Sequence, residues 1–91
     1  MPTAFLFELP NVTQQQYDAL MKDLNLGGKP ASGNHFHVAG PMDGGWWAMD
    51  VWDTPERLQE YVASDLGPAM AKHHFPEIQP KMFAVHNMLK P

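Results

Sequence analysis

Residues 46–61, with the sequence WWAMDVWDTPERLQEY, decide the fold of this chain. Residues 46–52 predict a strand with bulky apolar side chains on both faces. One face of that strand carries Trp46, Ala48, Asp50 and Trp52, and the other carries Trp47, Met49 and Val51. Residues 53–56 then supply an N-cap, a proline at the first helical position and early negative charge for the helix dipole. A strand that leads directly into a capped helix is therefore predicted.

A strand and a helix are predicted on the N-terminal side of this unit. Residues 3–9 are rich in aromatic side chains and are stopped by Pro10, which favours a strand covered on both faces. Thr13 and Gln16 have the spacing of a capping box, so a helix is expected to begin there. The apolar residues of this helix recur on one side, and Gly27 is well placed to end it; this apolar stripe consists of Tyr17, Leu20, Met21 and Leu24.

Two further strands complete the predicted set. Residues 28–34 have the composition of a loop. Residues 35–39 predict a strand that pairs antiparallel with residues 46–52 through the turn-rich connector 40–45. Residues 81–89 predict the last strand.

The element order is β-α-β-β-α-β, and Gly67 and Pro68 are expected to break or bend the second helix before a further turn. This order predicts a single α+β, ferredoxin-like domain over residues 1–91, with a four-stranded antiparallel sheet and two helices on one face. Two helices can cover only one face, and both faces of residues 46–52 are apolar, so we expect a second copy to cover the other. Face-to-face packing of the two sheets would make a homodimeric α+β barrel.

Composition fits one small domain and excludes several classes of function. The 91 residues are 44% hydrophobic and carry a net charge of -4, and the six basic residues are scattered along the chain. A nucleic-acid partner is not expected, because phosphate binding requires a clustered basic face. The absence of cysteine excludes disulfides and thiol chemistry. We expect no signal peptide, no membrane partner and a cytoplasmic location.

Residues 50–61, preceded by Gly-Gly-Trp-Trp, resemble the third strand and second helix of dimeric α+β barrel proteins. That group contains the antibiotic-biosynthesis monooxygenases and stress-responsive barrel proteins, among them cofactor-free quinol monooxygenases and polyketide cyclases. The resemblance implies a pocket in each subunit between sheet and helices, lined from the side of Trp46 and by Tyr61. Tyr61 also matches the second-helix tyrosine of the plant-type cyclases, whereas Gly67 and Trp46 stand where those cyclases carry histidines. Ala71 stands where the heme-degrading members carry a helix histidine, so the chain departs from their pattern.

Three histidines are candidate general bases. His35 and His37 lie two residues apart on a predicted strand and so point to the same face. With the hairpin turn centred on residues 42–43, His35 would face Asp50. A carboxylate beside an imidazole fixes its tautomer and raises its basicity, which suits removal of a proton from a phenol or an activated methylene. The alternative for His35 and His37 is that they are partly exposed strand residues without a special role. His86, on the last predicted strand, is the third candidate.

No metal site is predicted, although a His-x-His pair together with Asp50 or His86 would match a ligand set of two histidines and one carboxylate. This spacing arises readily by chance in a chain with five histidines. His73 and His74 fall at the end of the second helix, where cations interact favourably with the helix dipole. Helix capping is therefore the expected role of these two residues.

Aromatic side chains are the candidate ligand-binding residues, because their faces stack on planar molecules. The candidates are Trp46, Trp52, Phe5 and Phe7. Tyr61 would donate a hydrogen bond to a substrate oxygen. The alternative places the tryptophans in the core and the dimer interface, with Trp47 assigned to the interface.

Together these residues predict a cofactor-independent monooxygenase or cyclase that acts on a small aromatic or polyketide-like molecule. His35, His37 or His86 would be the base, with Asp50 beside it and Tyr61 orienting the substrate oxygen. A nucleotide or flavin is not expected, because the sequence has no Gly-rich phosphate loop. Two alternatives stay open: a non-catalytic binding protein for a small apolar ligand, and a structural or stress-type dimer.

Overall fold

The structure, a computed structural model, describes residues 2–89 and has the predicted order of elements. The strands are β1 (Thr3–Pro10), β2 (Asn34–Met42), β3 (Gly45–Trp52) and β4 (Lys81–Ala84), and the helices are α1 (Gln14–Leu24), α2 (Pro55–Tyr61) and α3 (Gly67–Lys72). A π-helical turn, Val62–Leu66, joins α2 to α3. The strands form one antiparallel sheet in the order β2-β3-β1-β4. The predicted ferredoxin-like α+β fold is therefore confirmed.

Helix α1 begins at the predicted capping box and ends earlier than predicted. The Thr13 hydroxyl accepts a hydrogen bond from the Gln16 backbone N–H, and the Gln16 side chain accepts one from the Thr13 N–H. Asn25, rather than Gly27, ends the helix: it adopts the left-handed conformation with φ at 51° and donates its N–H to the Met21 carbonyl. Asparagine tolerates this conformation better than most residues, so a glycine is not required.

The interruption expected at Gly67 and Pro68 takes the form of the π-helical turn. Thr54 caps the start of α2 by accepting a hydrogen bond from the Arg57 N–H. Pro68 has no N–H to donate and its ring crowds the preceding turn, which favours a locally wider helix. The Gly67 N–H then donates to the Val62 carbonyl, five residues back. A Cβ at position 67 would lie 2.6 Å from that carbonyl oxygen, so the turn requires glycine.

The hairpin between β2 and β3 turns at different residues from those predicted. Met42 pairs with Gly45, which leaves only residues 43–44 as the turn. The prediction of a turn centred on residues 42–43 is wrong because Gly44 supplies the positive φ, 76°, that the tight connection needs. Both strands consequently extend into the stretch 40–45 that the sequence predicts as a connector.

This register decides which histidine meets the carboxylate on β3. Asp50 pairs with His37, two residues from the predicted partner His35. A β-bulge between Asn34 and Phe36 also takes His35 out of the regular pairing. A bulge leaves one residue unopposed and re-aims its side chain, so the two histidines have different neighbours.

Strand β4 is shorter than predicted. It covers four residues, Lys81–Ala84, instead of 81–89, because its partner β1 begins at Thr3, opposite Ala84, and offers no further regular pairing. The Val85 N–H still donates to the Pro2 carbonyl just beyond the ladder. His86 therefore lies in an exposed bend and not on a strand.

One face of the sheet is covered by the helices and the other is not. The covered face holds two buried clusters, Leu9, Val12, Leu20, Trp46 and Phe75 in one and Phe5, Trp52 and Leu58 in the other. The opposite face, here called the outer face, carries Ala4, Leu6, Phe36, Val38, Trp47, Met49, Val51 and Phe83. Phe36 and Phe83 are 49% and 52% exposed.

None of the helices formed by residues 2–89 has the length and apolar character needed to cross a membrane.

Candidate functional site

A cavity of about 550 Å³ lies between the covered face of the sheet and helix α1. Its sheet side is formed by Phe7, His37, Ala48, Asp50 and Trp52, and its helix side by Tyr17, Leu20, Tyr61, Leu66, Met70 and Phe75. Residues 21, 22 and 24–31, from the end of α1 and the following loop, complete most of the remaining wall. The lining is therefore mostly apolar, as is usual for small-molecule sites, with a small number of polar groups on one side.

Asp50 is the buried charged group of this cavity. It is 6% exposed, and its Oδ1 forms a short hydrogen bond with Nδ1 of His37, its partner across the two strands. Its Oδ2 accepts a hydrogen bond from the indole N–H of Trp52 at 3.2 Å. An ionised carboxylate can only accept hydrogen bonds, so Nδ1 of His37 must carry a proton. Asp50 thus sets the tautomer of His37 and leaves Nε2 as the basic nitrogen of the neutral ring.

Tyr17 extends this pair into a chain of three side chains. Its hydroxyl lies 2.6 Å from Nε2 of His37, and the two rings are nearly parallel, with an interplanar angle of 7°. When His37 is neutral, the tyrosine donates to Nε2; when His37 is protonated, Nε2 donates to the tyrosine oxygen. The chain Asp50–His37–Tyr17 can therefore pass a proton toward the carboxylate end without moving heavy atoms.

Sequence reasoning missed Tyr17, which it treats as one apolar residue of the α1 stripe. A signal was available: Tyr17 is the polar member of a stripe otherwise made of Leu20, Met21 and Leu24. A buried tyrosine hydroxyl usually has a hydrogen-bond partner. The identity of that partner depended on the hairpin register, which the sequence left ambiguous.

The two tyrosines of the cavity remain neutral well into the alkaline range. Burial, and secondarily the negative charge of Asp50, raise the pKa of Tyr17 above its ordinary value. Burial, with smaller contributions from Asp65 and Asp50, likewise raises the pKa of Tyr61. The Tyr61 hydroxyl is buried and has no hydrogen-bond partner among residues 2–89. A ligand oxygen in the cavity would give it one, which is favourable because an unpaired buried hydroxyl is costly.

The remaining predicted site residues lie outside the cavity lining. His35 forms a short hydrogen bond with Asp53, and these side chains are 27% and 46% exposed. His86 is exposed beyond the end of β4. Trp46 is buried in the core and packs on Tyr17 in a tilted arrangement, with a ring-centroid distance of 5.4 Å and an interplanar angle of 33°.

The two first-strand phenylalanines differ in position. Phe7 lines the cavity, whereas Phe5 is buried against Trp52 and Leu58. Trp52 lines the cavity and packs on Tyr61 at a centroid distance of 5.6 Å. Of the predicted residues, the structure therefore brings His37, Asp50, Tyr61, Trp52 and Phe7 together around one space. Within residues 2–89, no group of three or more His, Asp or Glu side chains is placed to hold a metal ion.

Comparison with known proteins identifies the fold. No protein-family model and no curated protein sequence matches the chain. A proposed antibiotic biosynthesis monooxygenase from Chloroflexus aurantiacus J-10-fl superposes with a TM-score of 0.68 at 18% identity, over 99% of this chain and 98% of that chain. A variant of SnoaB, a cofactor-independent oxygenase from Streptomyces nogalater, superposes with a TM-score of 0.62 at 12% identity, over 99% and 96%.

A third solved structure, a proposed antibiotic biosynthesis monooxygenase from Deinococcus radiodurans, gives a TM-score of 0.61 at 9% identity over 100% of this chain and 98% of that chain. Identities this low show a common fold and leave the chemistry to be argued from the site. The chain therefore has the ferredoxin-like α+β fold of the antibiotic biosynthesis monooxygenase structures.

Proposed function

We propose that this protein is a cofactor-independent oxygenase for a small, flat aromatic or polyketide-like molecule, and that His37 is its general base. The observation that carries the proposal is the Asp50–His37–Tyr17 chain in the wall of the 550 Å³ cavity. A base with a fixed tautomer beside an apolar space suits removal of a proton from an acidic hydroxyl or methylene group. The fold is compatible with this chemistry, since one matching structure is a cofactor-independent oxygenase.

Each polar group has a distinct role in this proposal. The activated methylene of the substrate gives its proton to the oxygen of Tyr17, which at the same time passes its own proton to Nε2 of His37. A free tyrosinate is avoided, because burial and Asp50 disfavour the charged phenol. Asp50 stabilises the imidazolium that results. The unpaired Tyr61 hydroxyl donates to a substrate carbonyl and so stabilises the developing enolate.

The overall reaction needs dioxygen and no other reactant. Loss of a proton from an activated ring methylene gives a carbanion that is delocalised over the aromatic system. Transfer of one electron to O₂, followed by radical recombination, forms a C–O bond and a peroxide. Loss of water from the hydroperoxide leaves a carbonyl carbon. The methylene carbon gives up four electrons: one oxygen atom enters the product and the other leaves as water.

Oxygen consumption with 1,8-dihydroxy-9-anthrone tests this proposal, because the molecule is flat and has both phenols and an acidic methylene. The wild type should convert it to 1,8-dihydroxyanthraquinone faster than the spontaneous reaction, with one O₂ consumed per product. His37→Asn should lower kcat/KM by about 10²–10⁴-fold, the usual contribution of a general base. His86→Asn is the matched control and should leave the rate unchanged. Equal rates for His37→Asn and the wild type would refute the assignment of the base, and anaerobic consumption of the anthrone would refute oxygenation.

The same proposal includes a homodimer formed through the outer face. Phe36, Met49 and Phe83 on this face are exposed, and an apolar sheet face of this kind favours association with another copy. Met49→Glu should shift the protein toward monomer in sedimentation velocity. Val62→Glu is the control, since Val62 is similarly exposed, at 38% against 36% for Met49, and lies in the π-helical turn. A wild-type monomer at micromolar concentration would overturn the dimer.

A further inference from the structure

The rim of the cavity, meaning its solvent-exposed lining, comes from one short segment that contributes two lysines. All of the exposed residues that line the cavity fall between positions 22 and 30, and they include Lys22 and Lys29. Every other lining residue is buried or half-buried. Asn25 adds a carboxamide donor at the same rim. Among residues 2–89, the one carboxylate of the lining is that of Asp50, which is buried.

Neither of these two lysines is held in an ion pair within residues 2–89. Lys72 pairs with Asp23 at 3.2 Å and Lys81 pairs with Glu8 at 2.8 Å, whereas Lys22 and Lys29 form no ion pair with the described residues.

Asp23 follows Lys22 in the sequence, but its carboxylate is held by Lys72 and by His73 at 2.6 Å. A lysine in the last turn of α1 is favoured by the helix dipole. That effect does not account for Lys29, which lies in the following loop.

The buried end of the cavity, near Asp50, and its exposed rim therefore favour different chemical groups on a ligand. Near Asp50 an anion would be repelled, and the hydroxyls of Tyr17 and Tyr61 favour a neutral phenol or carbonyl edge. At the rim, two ammonium groups favour an anion that keeps part of its hydration. The part of the cavity between the buried end and the rim is lined mostly by apolar residues, which suits a flat ring system.

We infer that the substrate is an aromatic carboxylic acid that enters with its phenolic edge first and leaves its carboxylate at the rim, paired with Lys22 and Lys29. This inference rests on the proposed function and specifies its substrate class. The two lysines act in binding and orientation and take no part in the proton transfer. They would direct the ring so that the reacting edge meets Tyr17 and His37.

A matched pair of ligands tests the inference. Rhein and aloe-emodin are both 1,8-dihydroxyanthraquinones, and they differ in one group, a carboxylate in rhein and a hydroxymethyl group in aloe-emodin. Their dissociation constants can be measured by quenching of tryptophan fluorescence, since Trp52 lines the cavity. At low ionic strength the wild type should bind rhein about fivefold more tightly, the effect of two solvent-exposed charge pairs. Added salt should reduce this preference, because it screens exposed charges.

The double variant Lys22→Gln, Lys29→Gln should remove the preference and leave the affinity for aloe-emodin unchanged. Lys81→Gln is the control, since it removes a lysine that does not line the cavity and should preserve the preference. Equal affinity of the wild type for the two ligands would overturn the carboxylate inference while leaving the aromatic site intact. Failure of both ligands to bind would overturn the inference and the proposed aromatic site together.

Discussion

Replacement of Asp50 by asparagine should reverse the tautomer of His37 while preserving the fold. The carboxamide has nearly the shape of the carboxylate. Its oxygen can still accept a hydrogen bond from the indole N–H of Trp52, whose nitrogen lies 3.2 Å from Oδ2 of Asp50 in the wild type. Its NH₂ group then faces Nδ1 of His37. Because NH₂ only donates, Nδ1 must become the acceptor, and the proton of the neutral ring moves to Nε2. The nitrogen that faces Tyr17 would lose its basic lone pair.

The cost in stability follows from the hydrogen bonds that change. Two bonds to a charged acceptor, each worth about 1.5–3 kcal/mol, become neutral bonds worth about 0.5–1.5 kcal/mol. Part of this loss is offset, because a buried carboxylate no longer has to be desolvated. A net loss of about 1 kcal/mol corresponds to a decrease of about 4–8 °C in Tm for a domain of this size. Turnover should fall by about 10²-fold or more, since the base is lost.

The tautomer can be measured without a substrate. Long-range ¹H–¹⁵N correlation spectra of protein with labelled histidine distinguish the two tautomers, and pH 8.5 keeps an ordinary imidazole neutral. We expect the Nδ1–H form in the wild type and the Nε2–H form in Asp50→Asn. Asp53→Asn is the control: it alters the exposed pair with His35, which should cost less than about 1 kcal/mol and leave His37 unchanged. An Nε2–H tautomer in the wild type would refute the reasoning.

Three further predictions concern stability. Tyr17→Phe retains the stacked ring but removes the hydroxyl hydrogen bond, so Tm should fall by about 4–8 °C; an unchanged Tm in differential scanning calorimetry would contradict the 2.6 Å contact. Since the pKa values of Tyr17 and Tyr61 are raised in the folded state, their contribution to stability is complete below about pH 10 and is lost as pH rises further. Urea midpoints at pH 8 and pH 11 should show this loss, and a variant with phenylalanine at both positions should show a smaller one. Gly45→Ala would place a Cβ 2.2 Å from the Leu9 carbonyl oxygen and should lower Tm far more than Gly40→Ala, whose neighbour is an adjustable side chain.

Local sequence signals located most elements correctly. The capping box at Thr13 and the cap at Thr54 act over three residues, so they operate in the same way before and after the chain folds. The alternation along residues 46–52 placed Asp50 and Trp52 together on one face, which in the structure is the face that the helices cover. These features depend on neighbours in the sequence, which a single chain displays directly.

Signals that depend on a distant partner were less reliable. The end of β4 is set by where β1 begins, and residues 85–89 carry no mark of that limit. The hairpin register was misplaced by two residues because several glycines and a proline lie between the strands, and more than one turn position was compatible with them. His35 was therefore predicted to pair with Asp50. The alternation of the strand does not distinguish His35 from His37, because the two residues lie two positions apart and point to the same face.

The sequence by itself determined the order of elements, the capped helices, the two apolar faces of the sheet and the acidic, cysteine-free composition. Only the tertiary structure placed His37, rather than His35 or His86, beside Asp50 in the cavity wall, brought the Tyr17 hydroxyl to His37, and placed Lys22 and Lys29 at the rim of the cavity. The physical reason is the range of the interactions. Helix caps and strand alternation are fixed within a few residues, whereas the site joins side chains from α1, β2, β3 and α2 whose proximity exists only after the sheet has set its register and the helices have packed on it.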